Sequence, residues 1–200
     1  MGGDPAHHGA PLEQAAPLMP PELFDVLAGC PTTKVFKTRD RSTEPALAGR
    51  RDRALLPVGF VAALRRSELA APAVADVAEH ANGLVLSLPR SKTNQTGEQA
   101  ELVVLPGTPA RCPVTALASW LDAAGITAGP VFRPVFTGNR AVPRPLHPES
   151  VNALVQAAVA RAELNPAPYS AHSLRAGFVT YRHLNRNHSG PRRLALMFRL

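Results

Sequence analysis

Aromatic side chains are scarce in this chain and make up only 5% of its 200 residues. Hydrophobic residues still amount to 45%, so we expect a folded core built mainly from alanine, leucine and valine. No apolar run approaches the roughly 20 residues of a membrane-spanning helix. No charged segment followed by an apolar one marks a signal peptide. The sequence therefore predicts one large globular domain or two small ones, with no membrane partner.

Cysteine is also rare. Cys30 and Cys112 are far apart and fall in no metal-ligand spacing, so the sequence predicts no metal site. One disulfide between them is formally possible. The expectation is two reduced structural thiols, which fits a protein of the reducing cytoplasm.

Acidic residues are outnumbered, 15 against 22 lysines and arginines, and the net charge is +7. This balance favours a polyanionic partner, of which nucleic acid is the usual one, although an unrelated basic protein would look the same by charge alone. Residues 32–53 are predicted to form a polar loop. Its Lys34 and Lys37, with Arg90 further along, are candidates for contacts with a DNA backbone, a solvated surface being the alternative.

Apolar periodicity divides the chain into helices and two strands. Helices are predicted over residues 21–28, 52–64, 67–71, 113–124 and 148–162, and from a cap at Ser170 to about Tyr181. Strand-length runs at 84–88 and 102–105 flank a polar tip and predict a β-hairpin. Residues 129–142 are predicted to be a loop. Pro57 is expected in the first turns of its helix, and Trp120 in the core.

Four side chains in three separate motifs suit chemistry on a phosphodiester. His172 and Arg175 lie three residues apart at a predicted helix start, so both leave the same face. The guanidinium groups of Arg65 and Arg175 can neutralise the non-bridging oxygens without a metal. Lys92, at the predicted hairpin tip, can protonate a leaving oxygen. His172 can act as a general acid or base.

Each of these motifs is common when it occurs alone. A histidine three residues before an arginine is usually a surface residue beside a salt-bridged one, and a hairpin lysine usually only aids solubility. Glu68 follows Arg65 by three residues, so it can hold either Arg65 or His172 in orientation. Arg66 is expected to be a solvated neighbour. The combination, in this order, is what points to DNA strand exchange.

In that order the motifs resemble the catalytic domain of the tyrosine recombinases, the family of phage integrases and Xer-type recombinases. A-L-R-R-S-E-L is similar to the first-arginine motif, R-S-K-T to the hairpin lysine, and H-S-L-R-A-G-F-V-T to the H-x-x-R box. The resemblance covers about residues 17–180. It implies a mainly α integrase-like fold with a small antiparallel β element. It also implies double-stranded DNA and other recombinase subunits as partners, no metal or other cofactor, and a bacterial, cytoplasmic, nucleoid-associated protein.

The chain departs from this family pattern at both ends. Residues 1–16 are predicted to be a flexible leader, too short for the family's N-terminal helical domain. Residues 181–200 hold five arginines and no acid, and they are predicted to be an atypical basic tail. They contain neither the family's Gly-His segment nor a tyrosine at the spacing of its nucleophile. Tyr181 lies only six residues after Arg175 and is not expected to be the nucleophile.

The resemblance thus implies site-specific DNA recombination and integration by a domain incomplete at its C-terminus, with catalysis impaired by the missing nucleophile. A frameshift or truncation after Thr180 would account for the change in character. Whether the chain is an enzyme stays open. One alternative is a non-catalytic DNA-binding or regulatory protein derived from a recombinase. Another is a helical transcription regulator, which would need a recognition helix independent of Arg65 and Arg175.

Overall fold

A computed structural model describes residues 15–35, 43–88, 100–104, 106–108 and 111–185. Within these ranges the helices are α1 Pro20–Ala28, α2 Leu47–Val61, α3 Arg66–Ala70, α4 Pro113–Ala123, α5 Pro148–Arg161 and α6 Ala171–Leu184. The strands are β1 Thr33–Val35, β2 Thr43–Pro45, β3 Val77–His80, β4 Gly83–Leu88, β5 Ala100–Val104, β6 Val135–Phe136 and β7 Arg140–Ala141. All strand pairs are antiparallel, so the predicted mainly α fold with a small antiparallel β element is confirmed.

Helix α2 lies at the centre of the core and packs against α4, α6 and α5. Eleven of its 15 residues are buried, which leaves it almost no solvent-facing side. The core around it consists mostly of leucine, valine and alanine, as the composition predicts. Trp120 is fully buried, and its indole N–H donates to the Val131 carbonyl oxygen at 2.8 Å, so its predicted place in the core is confirmed.

The predicted start of α2 is wrong, and so is the predicted loop over residues 32–53. The helix begins at Leu47 rather than at residue 52, and the strands β1 and β2 precede it. Pro57 is therefore the eleventh residue of α2, inside the helix and not in its first turns. The charged run Arg50–Arg53 indicates a solvated loop when the sequence is considered alone. Tertiary contacts overrule this, because Arg51 and Asp52 are both buried.

The buried carboxylate of Asp52 joins α2 to α5. One oxygen of the Asp52 carboxylate accepts hydrogen bonds from Nε and Nη2 of Arg51, at 3.0 and 2.8 Å. The other oxygen accepts from Nη2 of Arg161 at 2.6 Å. The same Arg161 nitrogen lies 3.7 Å from Sγ of Cys30. Burial raises the pKa of the Cys30 thiol, and the Asp52 charge adds to this, while Arg161 opposes it.

The predicted β-hairpin is present but belongs to a larger sheet. Strand β4 pairs with β5 in a register that sets Leu88 opposite Ala100, so residues 89–99 join these two ends. Leu84, Leu86 and Leu88 alternate towards the core. Strand β3 pairs with the other edge of β4. The sequence does not predict it, because three of its four residues are exposed and no long apolar alternation marks it. The predicted loop over 129–142 likewise contains the short pair β6 and β7.

Both ends of the described chain extend the predicted domain. The Ala16 N–H donates to the Pro168 carbonyl at 2.9 Å, so the last residue of the predicted leader already contacts the fold. The Leu18 N–H donates to the Ser173 carbonyl, and a Cβ at Gly177 would lie 2.2 Å from the Leu18 oxygen. This close approach requires glycine in α6. At the other end, α6 continues to Leu184, past the predicted boundary at residue 180.

The two cysteines, Cys30 and Cys112, are buried and form no disulfide, as predicted for structural thiols. Over the described ranges no helix is both long enough and apolar enough to cross a bilayer. In that same part of the chain, no cluster of three or more histidine, cysteine or acidic side chains is placed to hold a metal ion.

Candidate active site

A cleft of about 350 Å³ lies where the start of α3 meets the first turns of α5 and α6. Its lining residues are all basic or polar: Arg65, Arg66, Ser67, Asn152, Ser170, His172 and Arg175. Folding therefore brings Arg65 together with His172 and Arg175, which are far from it in the sequence. None of the described lining residues is acidic, so the cleft is suited to an anion.

Helix α6 presents side chains, rather than backbone amides, to this cleft. Oγ of Ser170 accepts from the His172 N–H at 3.2 Å, and Oδ1 of Asn152 accepts from the Ala171 N–H at 3.0 Å. The Ser173 N–H donates to the Ser170 carbonyl at 3.0 Å. The first-turn amides, which often bind anions at helix starts, are thus already bonded. The groups left for an anion are the imidazole of His172 and the guanidinium of Arg175.

The turn that follows α2 fixes the orientation of Arg175. Its Nη1 donates to the Ala63 carbonyl oxygen at 2.8 Å. Ala63 has φ +49°, and the Leu64 N–H donates to the Gly59 carbonyl while the Ala63 N–H donates to that of Phe60. This is a Schellman turn with alanine at the left-handed position that usually holds glycine. Since a guanidinium has five donors, one bond to Ala63 orients it and leaves others for phosphate oxygens.

Arg65 is held by Glu68, through both oxygens of the carboxylate. Oε1 accepts from Nη1 of Arg65 at 2.9 Å, and Oε2 accepts from the Arg65 backbone N–H at 2.8 Å. The second bond also caps the start of α3. The Glu68 side chain is 16% exposed and that of Arg65 is 46% exposed, so the guanidinium reaches further into solvent. Of the two residues that Glu68 could orient by its spacing, the structure pairs it with Arg65.

Arg66 is exposed, as the sequence predicts, and it also forms an ion pair. Its Nη1 and Nη2 form a two-pronged contact with the Glu149 carboxylate, at 2.9 and 2.8 Å, which links α3 to the first turn of α5. The two side chains are 48% and 58% exposed. Asn152 also lines the cleft, and no sequence motif marks it, because it lies within an ordinary amphipathic helix pattern. Only the packing of α5 beside α6 brings these residues to the cleft.

Of the four remaining candidates, only Lys34 falls within the described part of the chain. Lys92, Lys37 and Arg90 lie outside the described residues. Lys34 is exposed on β1 and is not among the lining residues.

The chain's two tyrosines both fall in the described part, and neither lines the cleft. Tyr181 follows His172 by nine residues on α6. At about 100° and 1.5 Å per residue, that places it on the opposite side of the helix and about 14 Å along its axis. Burial and the nearby Glu22 charge raise the pKa of Tyr169, so its hydroxyl is harder to ionise.

No protein-family model matches the chain. A curated relative, the "integrase/recombinase xerD homolog" of Selenomonas ruminantium, is 37% identical over 148 residues, which are 73% of this chain and 43% of that protein. XerH site-specific recombinase, solved with its difH substrate before cleavage, has a TM-score of 0.58 at 14% identity. The match covers 93% of this chain and 50% of XerH. The chain belongs to the tyrosine recombinase family.

A second solved protein has the same fold. A lambda integrase dimer bound to a COC′ core site matches with a TM-score of 0.55 at 15% identity, over 96% of this chain and 59% of that one. The chain spans less than half the length of the curated relative and about half the length of XerH. The predicted integrase-like fold and the resemblance to Xer-type recombinases are confirmed.

Proposed function

We propose that this chain binds double-stranded DNA and holds a phosphodiester in the cleft, as the phosphate-binding part of a site-specific recombinase or integrase. The observation that carries this proposal is the convergence of Arg65, His172 and Arg175 on one cleft. Two guanidinium groups neutralise the non-bridging oxygens, and the imidazole of His172 can accept or donate a proton. The DNA-bound states of XerH and lambda integrase support the choice of ligand.

Membership of the family implies the reaction to which this cleft would contribute. A tyrosine hydroxyl loses its proton, in our proposal to His172, while its oxygen attacks the scissile phosphorus and a 3′-phosphotyrosyl bond forms. The bond from phosphorus to the 5′ oxygen breaks, and that oxygen takes up a proton, in our proposal from Lys92. Arg65 and Arg175 stabilise the charge that develops on the non-bridging oxygens, and Glu68 and the Ala63 carbonyl keep them in place. No step requires a metal or another cofactor.

The position of the tyrosines favours a second candidate function. Since neither Tyr169 nor Tyr181 lines the cleft, we propose that this 200-residue chain alone gives little or no cleavage. A non-catalytic DNA-binding or regulatory protein derived from a recombinase would keep the same cleft. It would occupy DNA sites or associate with recombinase subunits that supply a nucleophile.

DNA binding is tested by fluorescence anisotropy of a labelled duplex across a range of salt concentrations. We expect the Arg65→Ala and Arg175→Ala double variant to bind at least tenfold more weakly, because two charge-assisted contacts are lost. Its log–log salt slope should fall by about 1 per lost phosphate contact. Arg144→Ala, an exposed arginine outside the cleft, is the matched control. Wild-type affinity in a folded double variant would refute the proposal and favour a separate recognition helix.

Cleavage is tested with a nicked suicide substrate that traps a covalent intermediate. The expected result is no protein–DNA adduct that survives SDS, with DNA binding retained. An adduct that disappears in Tyr181→Phe would show that Tyr181 is a nucleophile after all and would overturn the non-catalytic candidate.

A further inference from the structure

A second basic pocket, of about 180 Å³, lies between the C-terminal end of α1, the first half of α2 and the start of α4. Two arginines and three hydroxyl residues contribute most of its polar lining: Arg53, Arg111, Thr32, Thr115 and Ser119. No acidic residue occurs among the described residues that line it. Guanidinium and hydroxyl groups are donors that suit the oxygens of an oxyanion.

A third arginine borders this pocket. Nε of Arg50 donates to the Thr32 carbonyl at 3.0 Å, and its Nη1 donates to Oγ of Ser119. Arg50 and Arg53 are three residues apart on α2, so they lie on the same face of that helix. Thr115 and Ser119 are four apart on α4, which packs against α2. The face of α2 that carries the arginines and the face of α4 that carries the hydroxyl groups thus meet at the pocket.

Two contacts orient the guanidinium groups that line the pocket. Nη1 of Arg53 donates to the Leu27 carbonyl at the end of α1, at 2.9 Å. The guanidinium of Arg111 lies 4.0 Å from the centroid of the Phe24 ring. These contacts reduce the entropy lost when the side chains bind a ligand.

The start of α4 adds a local preference for negative charge. Burial by itself would raise the pKa of the Cys112 thiol, but hydrogen bonds from Thr115 and from neighbouring backbone N–H groups lower it. The Thr115 N–H lies 3.3 Å from Cys112 Sγ. The Thr115 N–H is thus already bonded, and Thr115 contributes its hydroxyl to the pocket.

We propose that this pocket is an oxyanion site that binds a single phosphate group. The group is either a phosphodiester of a DNA backbone or a free phosphate, which present the same oxygens to the arginines. At 180 Å³ the pocket is smaller than the roughly 300 Å³ at which sites for drug-sized ligands begin, so a phosphate fits better than a whole nucleotide.

This site is separate from the cleft and does not depend on the proposed function. Arg53 precedes Ala63, whose carbonyl holds Arg175, by ten residues along α2 and its terminal turn. At 1.5 Å per residue the two positions lie about 15 Å apart along the helix. The two sites also share no lining residue.

The proposal is tested by titrating inorganic phosphate at constant ionic strength and following the rise in Tm that ligand binding causes. We expect Arg111→Gln to weaken the apparent affinity about tenfold, since one charge-assisted bond is lost. Arg175→Gln serves as the background for this titration, because it weakens phosphate binding at the cleft and alters no residue of this pocket. Arg144→Gln is the matched control, since Arg144 also lies over a ring, that of Phe136. Equal phosphate responses in Arg111→Gln and Arg144→Gln would overturn the proposal.

Two further measurements complete the test. If Arg111→Gln does not fold, Thr115→Val removes a pocket hydroxyl at nearly constant shape, and an undiminished phosphate response in that variant would equally overturn the proposal. Anisotropy with a labelled duplex then identifies the source of the phosphate. A weaker affinity and a smaller salt slope in Arg111→Gln would assign the site to the DNA backbone. A lost phosphate response with unchanged DNA affinity would assign it to free phosphate.

Discussion

Arginines meet carboxylates in two regions of this protein, and the regions differ in their access to water. In the network of Asp52 with Arg51 and Arg161, the Asp52 side chain is 2% exposed. At the cleft, Arg65 and Arg66 are 46% and 48% exposed while they pair with Glu68 and Glu149. The same arginine–carboxylate pair thus has a different role in each region. Out of water it joins helices, whereas at the surface it orients a cation that an incoming phosphate can still reach.

The largest expected effect comes from breaking the buried network. Asp52→Asn leaves the buried Arg51 and the partly exposed Arg161 without their carboxylate. We expect the free energy of unfolding to fall by about 3–5 kcal/mol, measured by urea denaturation. Glu149→Gln breaks an exposed pair and serves as the control. If Asp52→Asn costs no more than Glu149→Gln, burial does not distinguish the two regions.

A smaller effect is expected at Ala63, whose carbonyl holds Arg175 at the cleft. Ala63→Gly should raise the free energy of unfolding by about 0.5–1 kcal/mol, because φ +49° is costly for alanine and not for glycine. The bond to Arg175 comes from the backbone, so DNA affinity should not change. Ala62→Gly, at φ −89°, should instead destabilise the protein. A loss of stability in Ala63→Gly would contradict the left-handed turn.

The exposed pair of Arg66 and Glu149 should contribute less still. Glu149→Gln is expected to lower the free energy of unfolding by no more than about 1 kcal/mol, and the difference should vanish in high salt. Urea denaturation at low and high ionic strength measures this. A salt-independent loss would mean that Glu149 acts through packing rather than through charge.

The smallest expected effect is a dependence of stability on pH at Cys30, beside the buried network. Its pKa is raised in the folded state, so the unfolded chain releases the thiol proton first as the pH rises. Its contribution is therefore complete below the unfolded pKa and is lost as the pH rises through the folded one. Cys30→Ala should lessen the decline in stability above about pH 8.5. Cys112→Ala should have the opposite effect, because the pKa of Cys112 is lowered. Identical pH profiles for the two variants would contradict both assignments.

Much of the fold was predictable, and the errors have a common cause. Helix α5 is Pro148–Arg161 against a predicted 148–162, because its apolar residues follow the 3.6-residue period. Helix α2 was misjudged at its start, where Arg51 and Asp52 have the composition of a loop but are buried in the core. Strand β3 was missed because an exposed edge strand has little apolar pattern.

The residues of the candidate site were predictable from the sequence, but their pairings were not. The sequence singled out Arg65, His172 and Arg175, which the structure places around one cleft. It could not choose between Arg65 and His172 as the partner of Glu68, nor predict that Arg66 pairs with Glu149. Those choices depend on which helices pack together, and helix packing is not a local property.

By itself, the sequence determined the family, most of the helices and the shared face of His172 and Arg175, since each follows from residue identity and short-range spacing. Only the tertiary structure decided that Asp52 meets Arg161, that the Ala63 carbonyl holds Arg175, and that Arg53 and Arg111 face a common pocket. These contacts join residues far apart in the chain. Their formation depends on the desolvation and packing of whole helices, which no local pattern records.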